Sequence, residues 1–293
     1  MRAALEAPVR LAELAPHALE ERLESCPALL LPIGTIEYHG DHLPLGLDGL
    51  KAEAIAGDAA RRSGAILGPL SWWAADGVDR PYTLRLDAGL IEPMLVEGLV
   101  QLAGMGFRAI VLVNGHFGLE NSRLLRRVAL AVMERCEAVV WPVAEYEILL
   151  DLGDRGDHAG LWETSLLLGV RPELVNLESL VPGVAARGVI GADPRGASRR
   201  QGEDGVAQAG TRIAVAVERL LSLVDAERGV LVESLTSALG ALDVLAGLRA
   251  QMPREQVPPV LTPAWERHLR ALDAGEFELA RRAAEEKRAD PAA

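Results

Sequence analysis

Cysteine is almost missing from this sequence. Only Cys26 and Cys136 are present, far apart, which excludes a disulfide framework and a cysteine-rich zinc knuckle. No uninterrupted apolar run reaches the roughly 18 residues of a membrane span, and the N-terminus carries no signal-peptide pattern. Positive charge is in deficit: 30 Lys+Arg face 42 Asp+Glu, a net charge of −12. That balance argues against a nucleic-acid glove or a polybasic membrane binder. Lysine is scarce, while alanine, leucine and arginine dominate. There is no internal repeat, and no low-complexity sequence beyond the short Asp290–Ala293 tail. The 49% hydrophobic and 25% charged fractions exclude a disordered chain, a collagen and a coiled-coil rod. A length of 293 residues suits one large domain or two small ones, with ample core. The expectation is a soluble, acidic, cytoplasmic protein that binds neither nucleic acid nor membrane.

What is present alternates. Ala28–Ile33, Ala65–Leu70, Ala109–Val113 and Ala138–Val143 read as short, fully apolar strands. Between and after them, Leu50–Ser63, Ile91–Met105, Asn121–Arg135 and Thr164–Gly169 read as helices. Such alternation predicts an α/β fold, a mostly parallel sheet with helices on both faces. Its strand C-termini then lie along one edge, where open α/β sheets bind ligands. Beyond about Val181 the pattern loosens. Gly188–Ser198 is loop-like, Val206–Val224 and Glu227–Ala250 are helical, and Met252–Thr262 is a proline-rich spacer. Trp265–Arg288 reads as a helix or helix pair. We therefore divide the chain into residues 1–226 and a C-terminal helical extension, 227–293.

Six histidines exist, and four sit at strand ends or in glycine-flanked polar loops. The first cluster runs from Gly34 to Asp48. In extended backbone, residues two apart share a side, so Glu37 and His39 can enter one cavity and a turn through Gly40 and Pro44 can return Asp48 to it. Glu, His and Asp are mixed oxygen and nitrogen ligands for first-row metals. The bland alternative is an acid–histidine pair capping a helix. The second cluster, Asn114-Gly115-His116-Phe117-Gly118, follows an apolar strand, where the glycine lets His116 top the sheet. The third is Asp157-His158-Ala159-Gly160-Leu161-Trp162-Glu163, at the start of a helix, where Asp157 could equally be a dipole partner. Three such clusters together favour a metal site.

Glu37-x-His39-Gly-x-His42-Leu-Pro-x-x-x-Asp48, Asn114-Gly-His116 and His158-Ala-Gly-x-x-Glu163-Thr-Ser together resemble the creatininase (creatinine amidohydrolase) family. The Gly188-Val-Ile-Gly-x-Asp193-Pro loop adds to the likeness, which runs from about Ala28 to Val224. The resemblance implies a three-layer α/β/α sandwich holding two divalent metals per chain (Zn, Mn or Fe) and hydrolysing C–N bonds. It also implies that Glu37 and His116 bind one metal, His39 the other, and that Asp48 bridges them. Glu163 is the expected fifth ligand, with Glu120 the alternative through a two-residue insertion. His158 is the candidate general acid, with Asp157 setting its tautomer or pKa. His42 is either a partner orienting a ligand or a loop-packing histidine.

The departures bear on substrate. Creatinine-specific members wall the substrate with aromatics. Asp154 stands where one tryptophan would be, Val143-Ala144-Glu145-Tyr146 lacks another, and a third aromatic, just after His116, is replaced by Phe117, which lacks a hydroxyl. Trp72, Trp73 and Tyr82, together with Phe117, are the candidate substrate-wall residues, Trp72 or Trp73 alternatively packing on a neighbouring subunit. The expected partner is a small-molecule amide other than creatinine, its C–N bond not a peptide bond, with the chain a homo-oligomer, hexameric if it follows the family. Competing readings are a flavin-pathway formamide hydrolase, a mycofactocin-precursor-type peptidase, a non-catalytic scaffold, and a single-metal lyase or isomerase.

Overall fold

The computed structural model describes residues 7–253 and 256–293. The first residues of the N-terminal signal reading, and residues 254–255 of the proline-rich spacer, lie outside them. After α1 (Pro16–Ser25), four strands form one sheet: β1 (Ala28–Ile33), β2 (Ile66–Leu67), β3 (Ala109–Asn114) and β4 (Val139–Ala144). All are parallel, in the order β2-β1-β3-β4. Every residue of the four is buried, which is why each reads as a continuous apolar run. Fully burying each leucine, isoleucine or valine there contributes about 1.5–3 kcal/mol.

Between the strands run α2 (Leu47–Ser63), α3 (Ala88–Gly104) and α4 (Leu119–Arg135). After β4 follow α5 (Glu145–Leu149), α6 (Leu161–Val170), α7 (Arg199–Ser222), α8 (Asp225–Gln251), α9 (Pro263–Ala274) and α10 (Phe277–Ala289). The α2, α6 and α7 helices pack together as one layer, and α3, α4 and α8 as the other. The expected α/β architecture with helices on both faces is what the chain adopts.

Boundaries differ for identifiable reasons. The β2 strand is two residues, shorter than Ala65–Leu70, because Pro69 has no N–H to continue the ladder. The α7 helix begins seven residues before Val206, at Arg199, capped by Ser198, whose Oγ accepts from the Gln201 N–H at 3.2 Å. Gly202 lies in the added turns. In the fold it is a contact point, since a Cβ there would lie 1.6 Å from the Ser165 carbonyl oxygen of α6.

Register puts the chemistry on one edge. Ile33 pairs with Asn114, and Asn114 with Ala144, so β1, β3 and β4 end level. The chain steps from β1 outward to β2, then returns past β1 to β3. The gap between β1 and β3 is thus the switch point where open α/β sheets bind ligands. Of the described helices, α8 alone has the length and apolar composition of a membrane span. The uninterrupted-run reading of the sequence did not register it. Its Leu231 and Leu235 join the main core. Its Ala238, Ala241, Leu242 and Leu245 form a second core with Leu119, Ala144, Tyr146, Leu150, Trp265 and Leu269.

Candidate metal centre

Three segments deliver side chains to the switch point. Residues 34–46, after β1, carry Glu37 and His39; the first turn of α2 carries Asp48; the turn after β3 carries His116. Gly115 makes the last placement feasible, since a Cβ there would lie 2.1 Å from the Asp48 carbonyl oxygen. The turn is held by side-chain amides. Asn114 accepts from the His116 N–H at 3.0 Å and donates to the His116 carbonyl at 2.7 Å, while Asn121 donates to both.

The expected residues converge. His116 Nδ1 lies 3.1 Å from Glu37 Oε2 and 3.1 Å from Asp48 Oδ2. His39 Nε2 lies 3.0 Å from Asp48 Oδ1, 3.6 Å from Glu163 Oε2 and 3.8 Å from Glu37 Oε2. Two ligand triads result, Glu37–Asp48–His116 and His39–Asp48–Glu163, with Asp48 common to both. A third grouping, Glu37–His39–His158, lies beside them. Glu163 reaches the centre from the first turn of α6. Glu120 does not: it faces along α4 to Arg123 and Arg127.

The donor set suits divalent cations. Glu37, His39, Asp48, His116 and Glu163 are all at most 5% exposed. Glu37 Oε2 and His39 Nε2 have no hydrogen-bond partner although they crowd one another, as lone pairs do when aimed at a shared cation. His39 Nδ1 donates to the Glu37 carbonyl at 3.0 Å, which leaves Nε2 as the free lone pair. Charge points the same way. Burial opposes a charged His39 ring, but Asp48, Glu163 and Glu37 outweigh it and push its pKa up to about 9. Burial is likewise overcome at His116 by Asp48 and Glu37, which push it up to about 10. Despite burial, both histidines hold Asp48 far below the usual carboxylate range. The acids create a demand for positive charge that two cations would meet.

Lys51, missed in the sequence, is part of the site. One of two lysines in the chain, it is fully buried one turn after Asp48. Its Nζ bridges Glu163 and Glu145, the latter at 2.6 Å, and lies 4.0 Å from the centre of the Phe117 ring. The three-residue spacing from Asp48 on a helix was the available signal. Glu145, the first residue of α5, is pushed up to about 8 by burial, against the pull of Lys51.

Two expectations need correction. Asp157 does not set the His158 tautomer. Its two oxygens accept from the Trp162 and Glu163 N–H groups at 2.8 and 3.1 Å, capping α6. The tautomer is set by Tyr38, whose carbonyl oxygen is 2.9 Å from His158 Nε2. An oxygen that can only accept puts the proton on Nε2, so Nδ1 faces Glu37 Oε2, 3.9 Å away. Backbone bonds to Ile190, in the Gly188 loop, clamp His158 in place. Second, Trp72, Trp73 and Tyr82 lie away from the cavity lining. Trp72 packs over the start of α2, and Trp73 and Tyr82 are exposed. Of the two readings of His42, the geometry agrees with the ligand-orienting one, although the ring touches no proposed ligand directly. Its Nε2 lies 3.1 Å from the Ala159 carbonyl oxygen, and the Ala159 N–H donates to Glu163 Oε2 at 2.6 Å. Ala159 itself sits at φ 53°, so it is pinned at both polar ends in a conformation that costs about 1–2 kcal/mol. His42 therefore acts on Glu163 through Ala159.

Above the centre opens a cavity of about 470 Å³. Glu37, Asp48, His116, His158 and Glu163 line its floor, and Phe117 and Tyr146 one side, their rings edge-to-face at 5.0 Å.

A parallel sheet with clustered histidines and carboxylates at its switch point defines the class: an α/β fold with a candidate metal centre. The chain belongs to the creatininase family, whose model, described as creatinine amidohydrolase, matches residues 12–217. It is 30% identical to the creatinine amidohydrolase of Pseudomonas putida over 178 residues, 52% of this chain and 68% of that protein. It is 34% identical to the mycofactocin precursor peptide peptidase of Mycolicibacterium smegmatis over 168 residues, 55% of this chain and 64% of that one. A crystal structure of a creatininase superposes with a TM-score of 0.65 at 24% identity, covering 74% of this chain and all but 1% of that one (99%). A manganese creatininase superposes at 0.61 with 25% identity, covering 74% and 100%. These relatives are hydrolases by name. The peptidase among them removes the restriction to non-peptide bonds expected from the sequence.

Proposed function

We propose that the chain is a divalent-metal-dependent hydrolase of a C–N bond in a small molecule other than creatinine. The observation that carries this is Asp48, common to two triads, with Oδ1 beside His39 and Oδ2 beside His116. Glu37 and His116 would hold one cation, His39 and Glu163 the other, with Asp48 between them. Bound there, a pair of divalent cations supplies water activation near neutral pH and polarisation of the amide oxygen. The protein's part is positioning and proton transfer. The Asn114–Asn121 pair fixes His116, the His42–Ala159 link fixes Glu163, and Lys51 offsets the charge of Glu163 and Glu145. His158 lines the cavity floor with Nδ1, a lone pair in the neutral ring, inward; there it would take up the proton released by the attacking water and then pass it to the leaving nitrogen.

Substrate identity rests on the wall. The two tryptophans expected for creatinine are absent, and buried Asp154, in the place of one, accepts from the Gly156 N–H at 3.0 Å. A volume of about 470 Å³ is within the range of small-molecule sites. The peptidase relative makes a peptide bond the second reading. We also propose a cytoplasmic homo-oligomer, hexameric if it follows the family resemblance; self-association is supported by Trp73, Tyr82, Leu90 and Met94, all exposed within one stretch of chain.

Elemental analysis of protein purified without chelator tests the reading. Two ions per chain are expected, neither in Asp48→Ala, fewer in Glu37→Ala and Glu163→Ala, and two in Glu120→Ala. Protein that stays metal-free after reconstitution would overturn it in favour of a scaffold, and one tight ion would favour the lyase reading. Creatinine should yield little creatine.

A further inference from the structure

The far wall of the cavity is built by the chain beyond the family match. Leu242 of α8, Pro259, Val260 and Leu261 between α8 and α9, and Trp265 of α9 all line it. We propose that this C-terminal wall sets substrate length, and that the substrate is an amide with an apolar body of several carbons lying against it. The proposal rests on the metal-hydrolase reading above.

Apart from Arg249 of α8, the residues this stretch gives to the cavity are apolar, and they are held in place. Leu242 and Trp265 are at most 1% exposed, set in the second core with Tyr146 and Leu119, which belong to the α/β layer. Val260 and Leu261 pack on that core and are half-buried. The stretch carrying them is latched from behind. Lys287 of α10, the other lysine in the chain, is buried and donates to the Pro259 carbonyl at 3.0 Å and to the Pro291 carbonyl. Pro258 and Pro259 restrict the backbone as well. At the rim, Arg155 pairs with Glu266 of α9, closing the seam between the α/β domain and the extension. A polar floor facing a fixed apolar wall fits a ligand with a C–N group at one end and hydrocarbon at the other.

Normal-alkyl hydroxamates, from acetohydroxamate to octanohydroxamate, test this by calorimetric titration of manganese-loaded protein. Affinity should rise about three- to fourfold per methylene until the chain meets the wall. Leu261→Trp should weaken the long members at least tenfold while acetohydroxamate, too short to reach, changes less than twofold. Leu261→Ala should move the best-bound length upward. Acetohydroxamate binding with a length profile unmoved by either substitution would overturn the wall alone. No acetohydroxamate binding at all would overturn the metal-site reading, and the wall with it.

Discussion

The two nitrogens of an imidazole are assigned by whatever the other one touches, and at this site backbone carbonyls do the assigning. The Glu37 carbonyl takes the His39 Nδ1 proton, and the Tyr38 carbonyl takes the His158 Nε2 proton. His39 then presents Nε2 to the acids, while His158 presents Nδ1 to the cavity side. His158→Ala should therefore keep both metals and lose about 10²- to 10⁴-fold in kcat on the amide that the enzyme turns over. Metal analysis beside the kinetics decides the role, because loss of an ion would make His158 a ligand of the Glu37–His39–His158 grouping. Residue types and short spacings made the Glu37, His39 and His116 positions legible in the sequence. Lys51 was less so: its three-residue spacing from Asp48 places it on the same helix face, but only Glu145 and Glu163, arriving from other elements, make it a buried partner.

Elements follow from period and caps, and they fail to follow where two backbones touch. The early turns of α7, unread in the sequence, are one such place, where Gly202 meets the Ser165 carbonyl of α6. The α9–α10 pair shows what such packing does to a titrating group. His268, fully buried with Nδ1 donating to the Ala280 carbonyl at 2.8 Å, is pushed down to about 3 by burial, with Arg126 adding to the effect. Above its ordinary value of 6.5 the ring is neutral folded or unfolded. Below it, the unfolded chain takes up a proton that the folded one refuses until about 3, so stability falls with pH across that window. By pH 5 the loss from this group is about 2 kcal/mol. Urea unfolding at pH 7 and pH 5 should show His268→Gln losing about 2 kcal/mol less than the natural protein. Equal losses in both would remove His268 as the cause.

For the whole molecule, the division at residue 226 marks where the sequence changes character, yet hydrophobic cores cross it. Leu231 and Leu235 of α8 sit in the main core with the strands. Leu242, Trp265 and Leu269 share the second with Leu119, Tyr146 and Leu150. A chain ended after Ser222 exposes those faces, and we expect it to aggregate or to bind a hydrophobic dye. A monodisperse, folded product in size-exclusion chromatography and circular dichroism would show the extension to be an appendage. The sequence by itself determined the strand–helix alternation and the polar clusters at strand ends, because period, glycine placement and residue chemistry are local properties. Only the tertiary structure decided that Glu163 rather than Glu120 joins the centre and that Asp157 caps α6. It alone brought Lys51 inside and made the C-terminal helices a cavity wall. Those outcomes depend on which elements meet across tens of residues, and the meeting is settled by parallel register and core packing.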